Sequence, residues 1–425
     1  MKFVPTIGLE IHAELKTKTK MFCDSPNDPE EKHPNVNVCP VCMGHPGVLP
    51  VINKQAVKSV LRVGLAVGGK VADYSQFDRK NYFYPDLPKG YQISQYAHPL
   101  VEGGKLNGVR IRRVHLEEDA GKLIHEKNAT FVDFNRAGVP LMELVTEPDI
   151  SSAEEARTFA EELRLLLRYL GVSDADMEKG QMRIEANISV GPEGSDKLGT
   201  KVEVKNLNSF KSVEAVIKYE IERQTEVLED GKKVIQETRG WNDAKQKTFS
   251  QRIKEEAHDY RYFPEPDLPP LRISEIEEFG NLQATISELP WQTRARLKEE
   301  YGLKDAVVGI LVNEQKIADF FEAAISEIEA DLGKEAAKNA IEITVNYLTS
   351  DLAGLMNEKF LTFEDLQVTP ENFADLMVMI MGQAISSRAA KDVLRIMVET
   401  GAEPHAVVNE KGLEQVSDGD FIEVA

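Results

Sequence analysis

Ionisable side chains alternate with apolar ones in four short stretches of the sequence, near residues 7–14, 109–119, 182–188 and 201–205. A period of two is typical of a β-strand with one apolar face and one polar face. If the four strands are neighbours, their polar faces together carry Glu10, His12, Glu117, Glu118, Glu185 and Glu203. A cluster of like charge needs a cation to be tolerable. The pattern therefore predicts a cation site on a sheet.

The chemistry of these side chains favours a particular cation. Oxygen ligands with few sulfur or imidazole groups suit Mg²⁺, which typically bridges carboxylates to nucleotide phosphates. Complementary positive charge for a phosphoryl group in transfer is available from Lys80, Lys205, Arg110, Arg112 and Arg113. The alternative for any single strand is a solvated polar face, which antiparallel sheets often have. The four strands taken together favour a phosphoryl-transfer site.

The three cysteines form a second candidate metal site. Cys39 and Cys42 make a C-x-x-C knuckle, and Cys23 lies 16 residues upstream of it. This spacing is typical of a structural zinc ribbon, and a full site needs four ligands. Ser25 stands where a fourth thiol would be expected, so the fourth ligand would be Asp24, His33, His45 or water. We predict weak or partial zinc occupancy, the alternative being three small buried thiols.

The segment 78–91 is rich in aromatic and cationic residues. It holds three tyrosines and three cations within 14 residues. Stacking on a nucleotide base or on the terminal adenosine of an RNA is one interpretation of this composition. The other is a rigid aromatic and proline-rich loop that closes a core.

One glycine-rich segment resembles a phosphate-binding loop only superficially. Residues 64–70 fit the G-x-x-x-x-G-K half of the motif, but Val71 follows where Ser or Thr is required. The apolar pattern before them predicts a helix capped by Asn53. We therefore interpret Gly68 and Gly69 as the end of a helix.

The elements that must position these residues change in kind near residue 290. Short alternating strands with a few helices come before it, and the pattern after Trp291 is almost wholly helical. The sequence thus predicts an α+β fold, with a mixed or antiparallel sheet and flanking helices in residues 1–291 and an all-α domain in residues 292–411. Ser151 and Glu154 predict a capping box at the start of one helix, and the Arg112–Arg113 pair predicts a β-bulge.

Composition excludes several classes of protein. The 425 residues are 42% apolar, which is enough for two or three folded domains and excludes disorder. The balance of 51 Lys+Arg against 71 Asp+Glu gives a net charge of −20, so any contact with nucleic acid must be local. No apolar run approaches the roughly 20 residues of a membrane span, and the N-terminus lacks a signal-peptide core. We expect a cytoplasmic protein without a disulfide framework.

Six motifs in this sequence belong together. They are IGLEIH at 7–12, CPVCMGHPG at 39–47, DRKNYFYPD at 78–86, HLEEDAGK at 115–122, VKNLNS at 204–209 and DYRYFPEPD at 259–267. In combination they resemble the B subunits of the aspartyl/glutamyl-tRNA amidotransferases. The resemblance covers nearly the whole chain up to about residue 411.

This resemblance implies a fold and an activity. It implies a cradle-shaped catalytic domain, a helical domain and a tail domain that binds tRNA, of which residues 412–425 would be the truncated start. It further implies ATP- and Mg²⁺-dependent phosphorylation of the side-chain carboxylate of Glu on tRNA(Gln) or Asp on tRNA(Asn). Ammonia then displaces the phosphate, and it arrives from a glutaminase A subunit that a small C subunit straps to B in a heterotrimer.

The resemblance also implies roles for individual residues. The expected catalytic residues are Glu10, His12, Lys80, Glu117, Glu118, Glu185, Glu203 and Lys205. The expected magnesium ligands are Glu10, His12, Glu118, Glu185 and Glu203. The expected cofactor-binding residues are Arg79, Tyr82, Arg113 and Asn206, and the candidate zinc ligands are Cys23, Cys39 and Cys42.

The chain departs from the family pattern at three places. Ser25 replaces the second cysteine of a Cys-x-Cys, Gln251 stands where the family commonly has Met, and Glu185 stands where it often has Asp. A rival interpretation from another class is a noncatalytic RNA-binding scaffold with solvated strand faces. Adjacent strands with buried carboxylates would contradict that rival, because buried carboxylates without a cation are too costly.

Overall fold

The computed structural model describes residues 2–195, 197–253 and 260–415, and the chain divides into two compact units between Leu289 and Pro290. The strands of the described residues, which lie in the first unit, are β1 Phe3–Glu14, β2 Lys70–Val71, β3 Tyr74–Asn81, β4 Tyr91–His98, β5 Val101–Glu102, β6 Lys105–Leu106, β7 Val109–Glu118, β8 Lys122–His125, β9 Thr130–Asp133, β10 Pro140–Thr146, β11 Met182–Pro192, β12 Val202–Leu207, β13 Glu237–Asn242, β14 Lys247–Ile253, β15 Phe263–Pro264 and β16 Leu271–Arg272. Its α-helices are α1 Lys54–Ala66, α2 Ala153–Tyr169 and α3 Phe210–Glu229.

A ten-stranded sheet forms the centre of the first unit. Its order is β14-β13-β12-β11-β1-β10-β7-β5-β2, with β6 paired to β7. Neighbouring strands are antiparallel except for the parallel pair β12 and β13. A smaller sheet combines β3 with β4, β15 and β16, and β8 and β9 form a hairpin. The predicted mixed sheet with flanking helices is confirmed.

The central strand β1 has the predicted two faces. Ile7, Leu9, Ile11 and Ala13 are at most 1% exposed and belong to the core, while the ionisable side chains of Glu10, His12 and Glu14 alternate with them. Helices α1 and α3 lie against the sheet, and α2 lies against α3. The apolar face is therefore buried, and the opposite face is left for polar groups.

Strands β11 and β12 form an antiparallel hairpin. The predicted bulge in β7 is confirmed. The register of β7 shifts opposite Val145 and Thr146, which face Arg113 and Ile111, so Arg112 is the extra residue of a bulge.

Helix ends follow the predictions in one case and differ in another. Asn53 caps α1 by accepting a hydrogen bond from the Ala56 amide, and Gly68 has a φ of +68°, so the glycine-rich segment ends a helix as predicted. For α2 the predicted capping box is displaced by one residue.

The N-cap of α2 is Ser152, not Ser151 as the sequence predicts. The Ser152 hydroxyl accepts a hydrogen bond from the Glu155 amide at 3.1 Å. The Glu155 carboxylate in turn accepts one from the Ser151 amide at 2.8 Å. Both Ser151-x-x-Glu154 and Ser152-x-x-Glu155 fit the motif, so the sequence alone does not fix the phase of the cap.

The second unit is built from helices in the part that the structure describes, 290–415. They are α4 Pro290–Tyr301, α5 Asp305–Val312, α6 Gln315–Leu332, α7 Lys334–Asn346, α8 Ala353–Lys359, α9 Pro370–Met381, α10 Ser387–Thr400 and α11 Pro404–Lys411, with a π-helical turn Tyr347–Leu352 before α8. None of the described helices combines the length and the apolar character that crossing a membrane requires. Most of the predicted tail segment, 412–425, lies outside the described residues, which end at 415.

Candidate functional site

Four strands bring their ionisable side chains into register on the polar face of the large sheet. His12 on β1 lies opposite Glu143 on β10 and opposite Arg183 on β11. Glu143 lies opposite His115 on β7. Directly paired residues of antiparallel strands project on the same side of the sheet. The register therefore produces a continuous row of ionisable side chains across β11, β1, β10 and β7.

The imidazole of His12 is the centre of this row. Its Nε2 atom lies 3.3 Å from Glu143 Oε2, 3.5 Å from Glu117 Oε1 and 3.7 Å from Glu10 Oε1. Burial alone would lower the pKa of His12, but the hydrogen bond to Glu143 and the charge of Glu117 raise it to about 9. In this arrangement His12 carries a proton and is the nearest positive charge to three carboxylates. It must lose that proton to ligate a metal.

Glu143 is a site residue that the sequence analysis missed. It is 5% exposed and lies close to two imidazoles, His12 and His115. Burial would raise its pKa, but the charges of His115 and His12 lower it well below the usual range of a carboxyl. The available signal was a single carboxylate inside the apolar stretch 139–145.

A second group of charges lies beside the first on β1, β11 and β12. Glu10 is opposite Glu185 in the register. The ammonium of Lys205 lies 2.5 Å from Glu185 and 3.5 Å from Glu203. Glu203 also accepts a hydrogen bond from the Thr238 hydroxyl at 2.9 Å. Lys205 thus neutralises the outer carboxylates of this group.

The structure offers two sets of metal-ligating atoms that share His12. In the described residues, the ligand atoms of Glu10, His12 and Glu185 lie within 4.8 Å of one another, and so do those of His12, Glu117 and Glu143. We call these five residues the carboxylate cluster. Burial, followed by the charges of Glu143 and Glu185, raises the pKa of Glu10 to about 7. The neighbouring carboxylates thus add to the effect of burial, and the cluster fits a hard divalent cation, which would favour their ionised forms.

Lys80 joins the carboxylate cluster to an aromatic group. Burial would lower its pKa, but Glu117 and the other acidic groups around the ammonium together outweigh burial and raise the pKa above its usual range. The Lys80 ammonium also lies 5.1 Å from the ring centre of Tyr260 and 5.9 Å from that of Tyr82. The aromatic side chains of the 78–91 segment therefore border the charged site at this point.

Asp119 and Arg183 form an ion pair at the edge of the cluster. The guanidinium of Arg183 donates a hydrogen bond of 2.8 Å to Asp119, and Arg136 lies 3.6 Å from the same oxygen. Burial would raise the pKa of Asp119, but the charge of Arg183 lowers it. Asp119 is thus already compensated by protein cations and is not one of the metal-ligating groups.

Glu118 does not join the cluster, in contrast to the sequence expectation for its role as a magnesium ligand. Its carboxylate is held by the ammonium of Lys89 and accepts a hydrogen bond from the Ile93 amide at 3.0 Å. It lines a separate cavity of about 190 Å³. The physical reason is that Glu117 and Glu118 are consecutive in β7, and consecutive side chains of a strand project to opposite faces.

Two of the predicted cofactor-binding residues border the cluster and two do not. Tyr82 lies beside Lys80, and the Arg113 guanidinium is 3.5 Å from Glu143. Arg79 instead forms two hydrogen bonds with Glu265, of 2.6 and 2.8 Å. Asn206 is exposed and has a φ of +60°.

The other two arginines of the 110–113 group are engaged elsewhere. Arg110 pairs with Asp149, and Arg112 pairs with Glu147 at 2.9 Å. Both pairs involve exposed guanidinium groups. Of the three arginines, the structure therefore brings Arg113 to the carboxylate cluster.

The three cysteines come together as the sequence predicts. The Sγ atoms of Cys23, Cys39 and Cys42 lie within 4.8 Å of one another, and we call them the thiol cluster. The ammonium of Lys20, which is 0% exposed, lies 3.9 Å from Cys42 Sγ, and the Ser25 hydroxyl lies 3.8 Å from it. A hydrogen bond from Cys23 lowers the pKa of Cys42 to about 4.

None of the three predicted protein candidates for a fourth zinc ligand joins the thiol cluster in the described part of the chain. Asp24 and His45 are exposed, and the His33 ring lies 2.9 Å from Glu31. The protein groups nearest to Cys42, apart from the other cysteines, are Ser25 and Lys20. Three sulfurs and one ammonium do not make a four-thiolate zinc site.

Comparison with known proteins gives one family over most of the chain. A family model described as the GatB/GatE catalytic domain matches residues 5–277, and one described as a GatB domain matches residues 319–425. A protein of Thermosipho melanesiensis is 48% identical over 433 residues, which cover 100% of this chain and 88% of that protein. A protein of Persephonella marina is 47% identical, with 98% and 88% covered. Both relatives are named as the B subunit of an aspartyl/glutamyl-tRNA(Asn/Gln) amidotransferase.

Proposed function

The chain belongs to the family of aspartyl/glutamyl-tRNA(Asn/Gln) amidotransferase B subunits, and from that membership we propose that it activates a carboxylate for amidation. The carboxylate is the side chain of Glu attached to tRNA(Gln) or of Asp attached to tRNA(Asn). ATP phosphorylates one of its oxygens, and ammonia then attacks the carbonyl carbon and releases inorganic phosphate. The activation is needed because a carboxylate is a poor electrophile until one oxygen becomes a phosphate leaving group.

The observation that carries this proposal is the pair of ligand sets that share His12. We propose that Glu10, His12 and Glu185, together with Glu117 and Glu143, hold Mg²⁺. Bound there, Mg²⁺ would neutralise the carboxylates and the phosphate oxygens of ATP. The burial of Glu117 and Glu143, at 2% and 5% exposure, argues against a noncatalytic RNA scaffold with a solvated strand face.

Two lysines are placed to act on the phosphoryl group. Lys80 and Lys205 lie at opposite sides of the carboxylate cluster, next to Glu117 and to Glu185 respectively. Both are raised in pKa by these carboxylates, so they stay charged at neutral pH. We propose that they donate hydrogen bonds to phosphoryl oxygens, where fixed positive charge stabilises the charge that develops in transfer.

The predicted nucleotide-binding residues divide by position. Tyr82 and Arg113 border the cluster, so we propose that they contact ATP or the terminal adenosine of the tRNA. Arg79 is held by Glu265 and supports the loop instead. A side chain already bound twice by a buried carboxylate has few donors left for a ligand.

The proposed reaction needs ammonia. We propose that a glutaminase A subunit supplies it and that a small C subunit completes a heterotrimer in the cytoplasm. The family name implies such partner subunits and a tRNA substrate. The sequence itself carries no Ser/Lys amidase signature, which is why the proposal includes a separate glutaminase.

His12→Ala tests the proposed function, because His12 belongs to both ligand sets. In the assembled complex we expect tRNA-dependent ADP formation to fall at least about 100-fold, as for loss of a key electrostatic group. The glutaminase activity of the A subunit should persist, which shows that the complex still forms. His125→Ala, on the exposed β8–β9 hairpin, is the matched control. A wild-type rate of ADP formation in His12→Ala would overturn the assignment.

A further inference from the structure

The knuckle cysteines are close enough to react with each other. Cys39 Sγ and Cys42 Sγ lie 3.9 Å apart, and the two residues belong to one turn. A disulfide requires about 2 Å between sulfur atoms, which side-chain rotation within a C-x-x-C turn supplies. Cys39 is partly exposed, whereas Cys42 is buried behind it. An external reagent can therefore reach the sulfur of Cys39, and the sulfur of Cys42 lies next to it.

The surroundings of Cys42 are those of a reactive thiolate rather than those of a zinc ligand. Its Sγ accepts a hydrogen bond from the Cys39 amide at 3.1 Å and lies 3.9 Å from the buried ammonium of Lys20. An ammonium has three donors and no lone pair, so it stabilises a negative sulfur but supplies no metal ligand. The hydroxyl of Ser25 lies 3.8 Å from Cys42 Sγ, on a residue where a fourth cysteine would be expected. The thiol cluster thus carries its own cation where a fourth thiolate would be needed for zinc.

We propose that Cys39 and Cys42 form a reversible intramolecular disulfide by exchange with a low-molecular-weight disulfide. The Cys39 thiolate attacks one sulfur of the reagent and releases one thiol, which leaves a mixed disulfide on Cys39. The Cys42 thiolate then attacks Cys39 Sγ and releases the second thiol. The protein loses two hydrogen atoms, and one molecule of disulfide becomes two thiols. This inference stands on the thiol cluster alone and does not depend on the proposed function.

The pairing of Cys39 with Cys42 follows from position. Cys23 also lies within the thiol cluster and forms a hydrogen bond with Cys42, but it comes from a separate loop, whereas Cys39 and Cys42 share one turn, so a Cys39–Cys42 link closes the much shorter loop. Cys42 also lines the cavity that contains Lys89 and Glu118. Formation of the disulfide would therefore change the wall of that cavity.

The test uses the full chain, reduced, treated with a chelator, desalted and then incubated with oxidised glutathione. We expect intact mass to fall by two hydrogen atoms and a peptide map to show a Cys39–Cys42 link that dithiothreitol reverses. Cys23→Ser should form the same link, and Cys39→Ser should not lose two hydrogen atoms. The peptide map of the wild type decides the pairing if a variant fails to fold.

Three outcomes would overturn the proposal. The first is a wild-type chain that stays reduced or stops at a mixed disulfide with glutathione. The second is a link that contains Cys23 in the wild type, or a Cys39→Ser chain that oxidises as the wild type does. The third is one zinc ion per chain that survives chelation and protects the thiols, because a thiol that ligates zinc is not free to exchange.

Discussion

The carboxylate cluster and the thiol cluster differ in how their buried negative charge is compensated. The first has four carboxylates around one imidazole, and burial, followed by the charges of Glu143 and Glu185, raises the pKa of Glu10 to about 7. The second has three sulfurs around the ammonium of Lys20, which the protein supplies itself. The difference supports our proposal that the carboxylate cluster, and not the thiol cluster, takes up a cation from outside. Proximity of ligating atoms alone does not distinguish the two.

The largest effect is expected from Glu143→Gln. The substitution keeps the shape of the side chain but removes the charge that faces His12 and His115. Because a buried charge between two imidazoles is lost, we expect tRNA-dependent ADP formation to fall about 100- to 1,000-fold. Glu147→Gln is the control, since Glu147 pairs with exposed Arg112 at the surface. Equal rates for Glu143→Gln and the control would break the comparison, because the cluster would then be structural.

An intermediate effect is expected from Ser25→Cys, which converts the thiol cluster into the kind of site that needs a cation. The Ser25 hydroxyl is 3.8 Å from Cys42 Sγ, so a thiol in its place completes four sulfurs. We expect about one zinc ion per chain by elemental analysis and an affinity at least about tenfold above the wild type. The double variant with Cys23→Ser again has three thiols and should lose the gain. Stoichiometric zinc in the chelated wild type would contradict the comparison, because the thiol cluster would then bind a metal without the fourth thiol.

The smallest effect is expected from Lys20→Met. Lys20 is 0% exposed, and when an apolar group of similar volume replaces its ammonium, the Cys42 sulfur can take up a proton, so that no buried charge is left without a partner. We expect the free energy of unfolding, from chemical denaturation, to change by less than about 1.5 kcal/mol. Lys20→Ala, which leaves a cavity, should cost about 2–4 kcal/mol. If Met costs as much as Ala, the ammonium itself stabilises the thiol cluster and the contrast between the clusters becomes sharper.

The sequence predicts the faces of the strands better than their neighbours. The alternation places Glu10 and His12 on one face of β1, because Ile7, Leu9 and Ile11 are buried on the other face. It gave no information on which strand lies beside β1, since register depends on contacts distant in sequence. Glu143 was missed for this reason, because a lone carboxylate in an apolar stretch acquires meaning only opposite His12.

Glu118 illustrates the same limit from another direction. Two consecutive carboxylates in β7 must face opposite sides, and both Glu117 and Glu118 are buried, so burial does not separate them. The partner that claims Glu118 is Lys89, which comes from a loop whose path has no local signal in the sequence. Local sequence patterns were enough to predict the fold class, the β7 bulge and the end of α1, because each of these features depends on neighbours along the chain.

The central place of β1 has a consequence for the order of events during synthesis. This strand leaves the ribosome before the other described strands, yet it pairs with β10 and β11, which are made more than 120 residues later. Until then both of its edges are unsatisfied, and non-local strand pairing of this kind is slow. Glu10 and Glu14 on the open strand discourage pairing with other nascent chains, because like charges directly opposite one another repel. Glu10, which we propose as a magnesium ligand in the finished protein, thus also protects the chain while it is being made.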